Sequence, residues 1–193
     1  MKSTLSNMLL SLTGICVALG ALLAWMHDLT AGPIERTAMR EQQQAIADVL
    51  PAGYTNNPLD AADTVMLPGE NRPVVLCRAY DGDRYCGSAV MTWTADGFAG
   101  EIDVMVGFDA NGAVSGYKVL RQSETPGLGS KADEWFRSPV GHRNIIGSTG
   151  NLAVSKDGGQ IDAITAATIT SRAFLQAVNR GRQALVAAGT AKK

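Results

Sequence analysis

The 193 residues carry 17 Lys and Arg against 18 Asp and Glu, a net charge of −1, with no basic block anywhere. That balance argues against nucleic acid as a partner. The length allows one domain plus an appendage, and no tandem repeat or low-complexity tract breaks the chain.

The appendage comes first. From Met8 to Met26 the chain reads MLLSLTGICVALGALLAWM, without a charge. At about 1.5 Å per residue, a helix of this length nearly matches a hydrocarbon core of about 30 Å. Trp25 and His27 stand where interfacial residues stand. Lys2 precedes the span, and Asp28, Glu35 and Arg36 follow it. The positive-inside rule then predicts a cytoplasmic stub (1–7), a single transmembrane helix (8–26) and everything else outside the cytoplasm. A cleaved signal peptide is the competing reading, but its apolar region is normally shorter and no small-x-small cleavage site is present. Cys16 follows Ile15, which excludes lipid-box processing.

Residues 27–72 read as a membrane-proximal helix and connector. Ile34, Met39, Ile46, Val49 and Leu50 form an approximate helical stripe, which Pro51 ends. AGYTNNPLDAADT is turn-rich. A folded domain over 73–190 follows. RPVVLCRAY and RYCGSAVMTW predict a hairpin turning at Asp81-Gly82, which sets Cys77 opposite Cys86. The pair is either a disulfide, which an extracytoplasmic location permits, or two reduced core cysteines. EIDVMVGFD alternates with Ile102, Val104, Val106 and Phe108 on one face, and Asn111-Gly112 turns it back into VSGYKVLRQ. GSKADEWFRSPVG reads as a short helix N-capped by Ser130, with Asp133 three residues on. The last element is a helix carrying Ala173, Phe174, Ala177, Val178 and Leu185 on one face. Strands in the middle and helices around them give an α+β class with a largely antiparallel sheet.

Two stretches invite chemistry. In DAITAATITSRAF, residues 162–174, four hydroxyls (Thr165, Thr168, Thr170, Ser171) crowd a helix entrance. On residue types alone, helix capping explains them better than an anion site, although a helix N-terminus with free amides does suit a phosphate. In SETPGLGSK, residues 123–131, Pro126, Gly127 and Gly129 make a backbone-exposing loop that a flat ring could approach. It has neither the dinucleotide-binding nor the P-loop pattern. No nucleophile elbow is present. Two histidines, His27 and His142, with no C-x-x-C pair, offer no metal site.

Together these motifs resemble a known family. Asp162-Ala-Ile-Thr165-Ala166-Ala167-Thr168 is similar to the D-x-x-[ST]-G-A-T signature of covalently flavinylated FMN-binding domains. Glu124-Thr125-Pro126-Gly127-Leu128-Gly129 is similar to their E-T-P-G-L-G loop, and Lys156-Asp157-Gly158-Gly159 also fits. With one N-terminal span, the whole chain resembles the G subunits of Rnf ion-translocating electron transport complexes. The homologous, usually longer C subunits of sodium-pumping NADH:quinone reductases are the nearest alternative. The resemblance implies covalent FMN on Thr168 through a phosphoester, installed from FAD by a magnesium-dependent flavin transferase, with the ring near Glu124–Gly129. It implies an electron relay in the inner membrane among other membrane subunits, rather than a stand-alone enzyme. Ala166 stands where the family most often has glycine. An anchored binding or sensing module that has lost its flavin is the alternative of a different class.

Overall fold

The computed structural model describes residues 5–189, without the side chains of residues 5, 6, 33–36 and 38. The expectations for Lys2, Ile34, Glu35 and Arg36 therefore lie outside the described residues. The chain divides into two compact units after Gln42. The first is helical, and within it Asn7–Gly32 is long and apolar enough to cross a membrane. Its large apolar side chains, Leu9, Leu12, Leu19, Leu23 and Trp25 among them, are exposed, as a lipid-facing helix requires. The same helix, α1 (Leu5–Val49), contains the expected membrane-proximal segment.

The second unit is built on a five-stranded antiparallel meander in the order β1 (Ala62–Val65), β2 (Val74–Asp81), β3 (Arg84–Thr94), β4 (Ile102–Asp109) and β5 (Val114–Arg121). Alternation decides which side chains meet which face. Leu76, Val90, Val104, Val106, Phe108 and Tyr117 enter one core with Phe174, Val178 and Leu185 of α3 (Thr168–Ala187). Cys77, Ala79, Ala89 and Met105 point the other way, onto Ala45, Ile46, Val49 and Leu50 at the end of α1. β4 is thus covered on both faces, and the strand stripe expected from 102–108 faces α3. Phe174 anchors the larger core, stacked on Phe136 at 4.7 Å and edge-on to Tyr117 at 5.0 Å. Burial pushes the Tyr117 hydroxyl well above its ordinary pKa, and that hydroxyl donates to Ala132 O at 3.0 Å.

The end of α1 fits the sheet closely. Ser115 Oγ donates to the Val49 carbonyl at 2.6 Å, satisfying one of the orphan acceptors of a helix C-terminus. Pro51 follows as expected.

Three local expectations are corrected. The turn-rich connector contains β1, an exposed edge strand. The β2–β3 hairpin turns at Gly82-Asp83, and a bulge between Ala79 and Tyr80 shifts its register. Cys77 therefore faces Ala89, Cys86 is the extra bulge residue, and both thiols are free. Burial raises the pKa of the Cys77 thiol. Ser130 is no N-cap, because residues 129–131 form a 3₁₀ turn leading into α2 (Ala132–Trp135). Its hydroxyl accepts from Gly127 N at 2.9 Å and closes the preceding loop.

Gly107 tests the seat of α1. A Cβ there would lie 2.0 Å from the Val49 carbonyl oxygen, in backbone rather than in a movable side chain. Gly107→Ala is expected to cost about 1–3 kcal/mol, read as a lower urea midpoint at unchanged slope.

Candidate functional site

Local turns build the entrance of α3. Ala167 occupies the N-cap position without a side-chain cap, so the amides of the first helical turn stay open. Neither expected cap performs that role. Ser171 Oγ accepts from Ile164 N and donates to Ala167 O, both at 2.9 Å, which locks the turn before the helix. Thr170 Oγ1 instead donates to Glu124 Oε2 at 2.5 Å. Ala166 has φ +62°, the only positive φ at a non-glycine among the described residues. The family's usual glycine thus stands at a left-handed position, which alanine adopts at a cost. Thr165 and Ala166 are exposed and Thr168, the first residue of α3, is half-buried.

Glu124 joins this entrance to the E-T-P-G-L-G loop. Only 5% exposed, its carboxylate takes Thr170 on Oε2 and the Ala99 amide, at 3.0 Å, on Oε1. A buried carboxylate needs such donors. Gly127 supplies a left-handed turn at φ +77°, and Leu128 N returns to Thr125 O at 3.1 Å. A Cβ on Gly129 would lie 2.6 Å from Glu124 Oε2 and 2.7 Å from Thr170 Oγ1. The loop can therefore approach α3 only as glycine. Between them lies a cavity of about 340 Å³ lined by Phe98, Glu124, Thr125, Leu128, Gly129 and Ala166–Thr170. Phe98 is 68% exposed, Ile169 49% and Leu128 39%, an apolar rim facing solvent. Pro126 and Gly127 shape the loop and do not line the cavity.

A second cavity, of about 390 Å³, meets the first at Ala166 and Thr168. It is polar, lined by Trp135, Arg143, Lys156, Asp162 and Thr165 among others. Asp162 holds its wall: Oδ2 accepts from His142 N at 2.9 Å, while its backbone carbonyl accepts from Trp135 Nε1 at 2.8 Å. Arg143 lies over Trp135 at 3.8 Å, within cation–π range. Opposite, the K-D-G-G stretch follows a consistent logic. Lys156 Nζ donates to Thr168 Oγ1 at 3.3 Å. Asp157 takes two hydrogen bonds from Arg172, each 2.7 Å. Arg172 lies one helical turn beyond Thr168, on the same face, so this clasp sets Lys156 beside the threonine. Gly158 takes the left-handed position at φ +83°, and a Cβ on Gly159 would strike Ala153 O at 2.1 Å.

The structure thus brings Glu124, Thr125, Leu128, Gly129, Asp162, Thr165, Ala166, Ala167 and Thr168 around two adjoining cavities. Sequence reasoning missed Phe98, Trp135, Arg143 and Arg172. A cation with no acidic residue three or four positions away is a weak signal that could have marked Arg143.

Two outcomes are expected. Ala166→Gly relieves about 1–2 kcal/mol of left-handed strain against about 0.4–1 kcal/mol of added unfolded-state entropy. Urea denaturation should show a variant as stable as the parent or more so by up to about 1.6 kcal/mol. Separately, the Arg172 hydrogen bonds hold the Asp157 carboxyl below the usual carboxylate range, with the Arg172 and Lys156 charges acting in the same direction. A lowered folded value means that the clasp stabilises above the unfolded pKa and is lost as pH falls through the folded one. Carboxyl NMR should place the midpoint low, and Arg172→Gln should return it to the ordinary range.

Comparison with known proteins agrees with this geometry. The FMN-binding domain family matches residues 97–183, a stretch that includes both cavities' principal walls. The G subunit of an ion-translocating oxidoreductase complex from Vibrio cholerae is 36% identical over 172 residues, 86% of this chain and 82% of the relative. The corresponding G subunit from Yersinia pestis is 35% identical over 177 residues, covering 86% and 85%. That from Escherichia coli O157:H7 is 35% identical over 181 residues, covering 86% of each. With its apolar N-terminal helix and its FMN-binding domain, this membrane-anchored chain belongs to the G-subunit family of Rnf-type ion-translocating oxidoreductase complexes.

Proposed function

We propose that the protein relays electrons within an Rnf-type ion-translocating complex, through FMN held covalently on Thr168. The single observation that carries this reading is the position of Thr168. Its hydroxyl stands at an uncapped helix N-terminus, where an apolar-rimmed cavity meets a cation-lined one. A flavin mononucleotide has that same division, a flat aromatic ring at one end and a phosphate at the other.

The residues fit the group. Phe98, Leu128 and Ile169 would hold the ring, in a cavity within the usual size range for cofactor sites. The open first-turn amides and the positive end of the helix dipole would meet the phosphate. Bound flavin supplies the capacity to accept and release electrons. The chain's own contribution is attachment, orientation and partial exclusion of water. Attachment would transfer the FMN phosphoryl group from FAD: Thr168 Oγ1 would take the new P–O bond as the pyrophosphate bond breaks, AMP would leave with the bridging oxygen, and the threonine proton would pass to solvent. A flavin transferase would perform it during maturation. Covalent linkage suits a domain on the extracytoplasmic side of the inner membrane, where a free cofactor would be lost. The other subunits of the complex would supply and take the electrons.

The experiment is co-expression with a flavin transferase, followed by intact mass and ultraviolet fluorescence on a denaturing gel. The parent should carry an FMN adduct, and Thr168→Val should carry none. An unmodified parent, with the transferase active on a control acceptor, would falsify the covalent reading and favour the flavin-free binding module.

A further inference from the structure

We propose that Arg143 and Lys156 are a positioning pair for flavin attachment, drawing the incoming phosphate onto Thr168 and neutralising the phosphodiester once it forms. This rests on the covalent reading above. Arg143 has a buried Nε without a hydrogen-bond partner, and among the described residues no carboxylate is paired with its guanidinium. A buried donor left unmatched is costly, and a missing acceptor is the ordinary explanation. Arg143 lines the same cavity as Thr168. Trp135 lies beneath its guanidinium, and both Trp135 Nε1 and the amide of His142, the residue before Arg143, are fixed by Asp162. The guanidinium is therefore seated on Trp135 with its buried Nε unmatched among the described residues.

Lys156 approaches from the other wall. Its Nζ already donates to the attacking oxygen, Thr168 Oγ1, at 3.3 Å. The nearest carboxylate in sequence, Asp157, is taken up by Arg172, which leaves the ammonium free of a salt bridge among the described residues. Among the described residues the one other charge lining the cavity is the Asp162 carboxylate, with Oδ2 on the His142 amide. Two cations against one anion leave the cavity net positive, and the open amides of α3 add to it. Lys156 stabilises the oxygen as its proton departs. Arg143, with a planar fork suited to phosphate, holds the group that arrives.

The test uses the full chain, purified without flavin and incubated with FAD, magnesium and a flavin transferase, with labelling followed by gel fluorescence and intact mass. Lys156→Met and Arg143→Met are each expected to slow labelling by about tenfold, the scale of one charge-assisted hydrogen bond. Lys156→Arg should restore a near-parental rate, which a merely structural role for the lysine would not require. Arg84→Met, at the distant β2–β3 hairpin, should label like the parent. Lys156 is exposed, so its variants fold normally and decide the matter even where Arg143→Met melts early. Parental labelling rates in Lys156→Met and in folded Arg143→Met overturn the proposal while leaving covalent attachment intact. An unlabelled parent, beside a control acceptor that is labelled, removes the attachment and this pair's role together.

Discussion

Glu124 is buried, and the junction between the E-T-P-G-L-G loop and α3 depends on how its two carboxylate oxygens are matched. One oxygen holds the amide of Ala99 in the loop between β3 and β4, the other the hydroxyl of Thr170 in the first turn of α3. Three segments distant in sequence are thereby fixed to a single side chain. Gly129 and Gly97 bear the steric side of that arrangement, since a Cβ on either would lie within 2.8 Å of a Glu124 oxygen. The bond to Thr170 also determines what Thr170 does not do. With its hydroxyl turned toward Glu124, Thr170 offers nothing to the amides at the entrance, which the alanine at the N-cap leaves available.

From that junction the two cavities acquire different characters for simple reasons. The first is bounded by glycines and by the exposed faces of Phe98, Leu128 and Ile169, so it presents apolar surface. The second is bounded by loops whose backbone is tied through Asp162 and whose cations are not neutralised. Thr168 belongs to both, because a residue at the first position of a helix has its hydroxyl at the rim rather than along the flank. The Asp157–Arg172 clasp completes the second wall by holding the 155–157 turn against the flank of α3.

Much of this was legible in the residues, and the boundary of what was legible is physical. Strands β2 to β5 announce themselves because each carries apolar residues that a core takes up, β4 on both faces, whereas β1 is an exposed edge with little to bury. The cysteines are not opposed for a local reason: the turn falls one residue later than expected, a bulge then adds one more, and each shift moves every later pairing. The signature from Asp162 to Thr168 could be recognised because it is contiguous and forms its own turn. Arg143 and Trp135 reach the same place through hydrogen bonds between loops, which no spacing rule encodes. Thr170 and Ser171, expected as helix caps, make other bonds. Capping is the common use of serine and threonine at a helix start, but the helix begins at Thr168, so these two are its third and fourth residues; Thr170 turns to Glu124 and Ser171 to the turn before the helix.

The order of elements along the chain has its own consequence. The sheet is a meander in which each strand pairs with its predecessor, so it can assemble progressively as the polypeptide is made. The helix that covers its apolar face, and whose first residue is Thr168, follows all five strands. Until that helix docks, Leu76, Val106 and Phe108 lack their cover, Glu124 lacks Thr170, and neither cavity has its floor. The place of the threonine and the pocket around it therefore both depend on that one docking. A chain with α3 undocked would keep the contiguous signature of residues 162–168 but lose both cavities, so the threonine's surroundings are a property of the finished fold rather than of the motif.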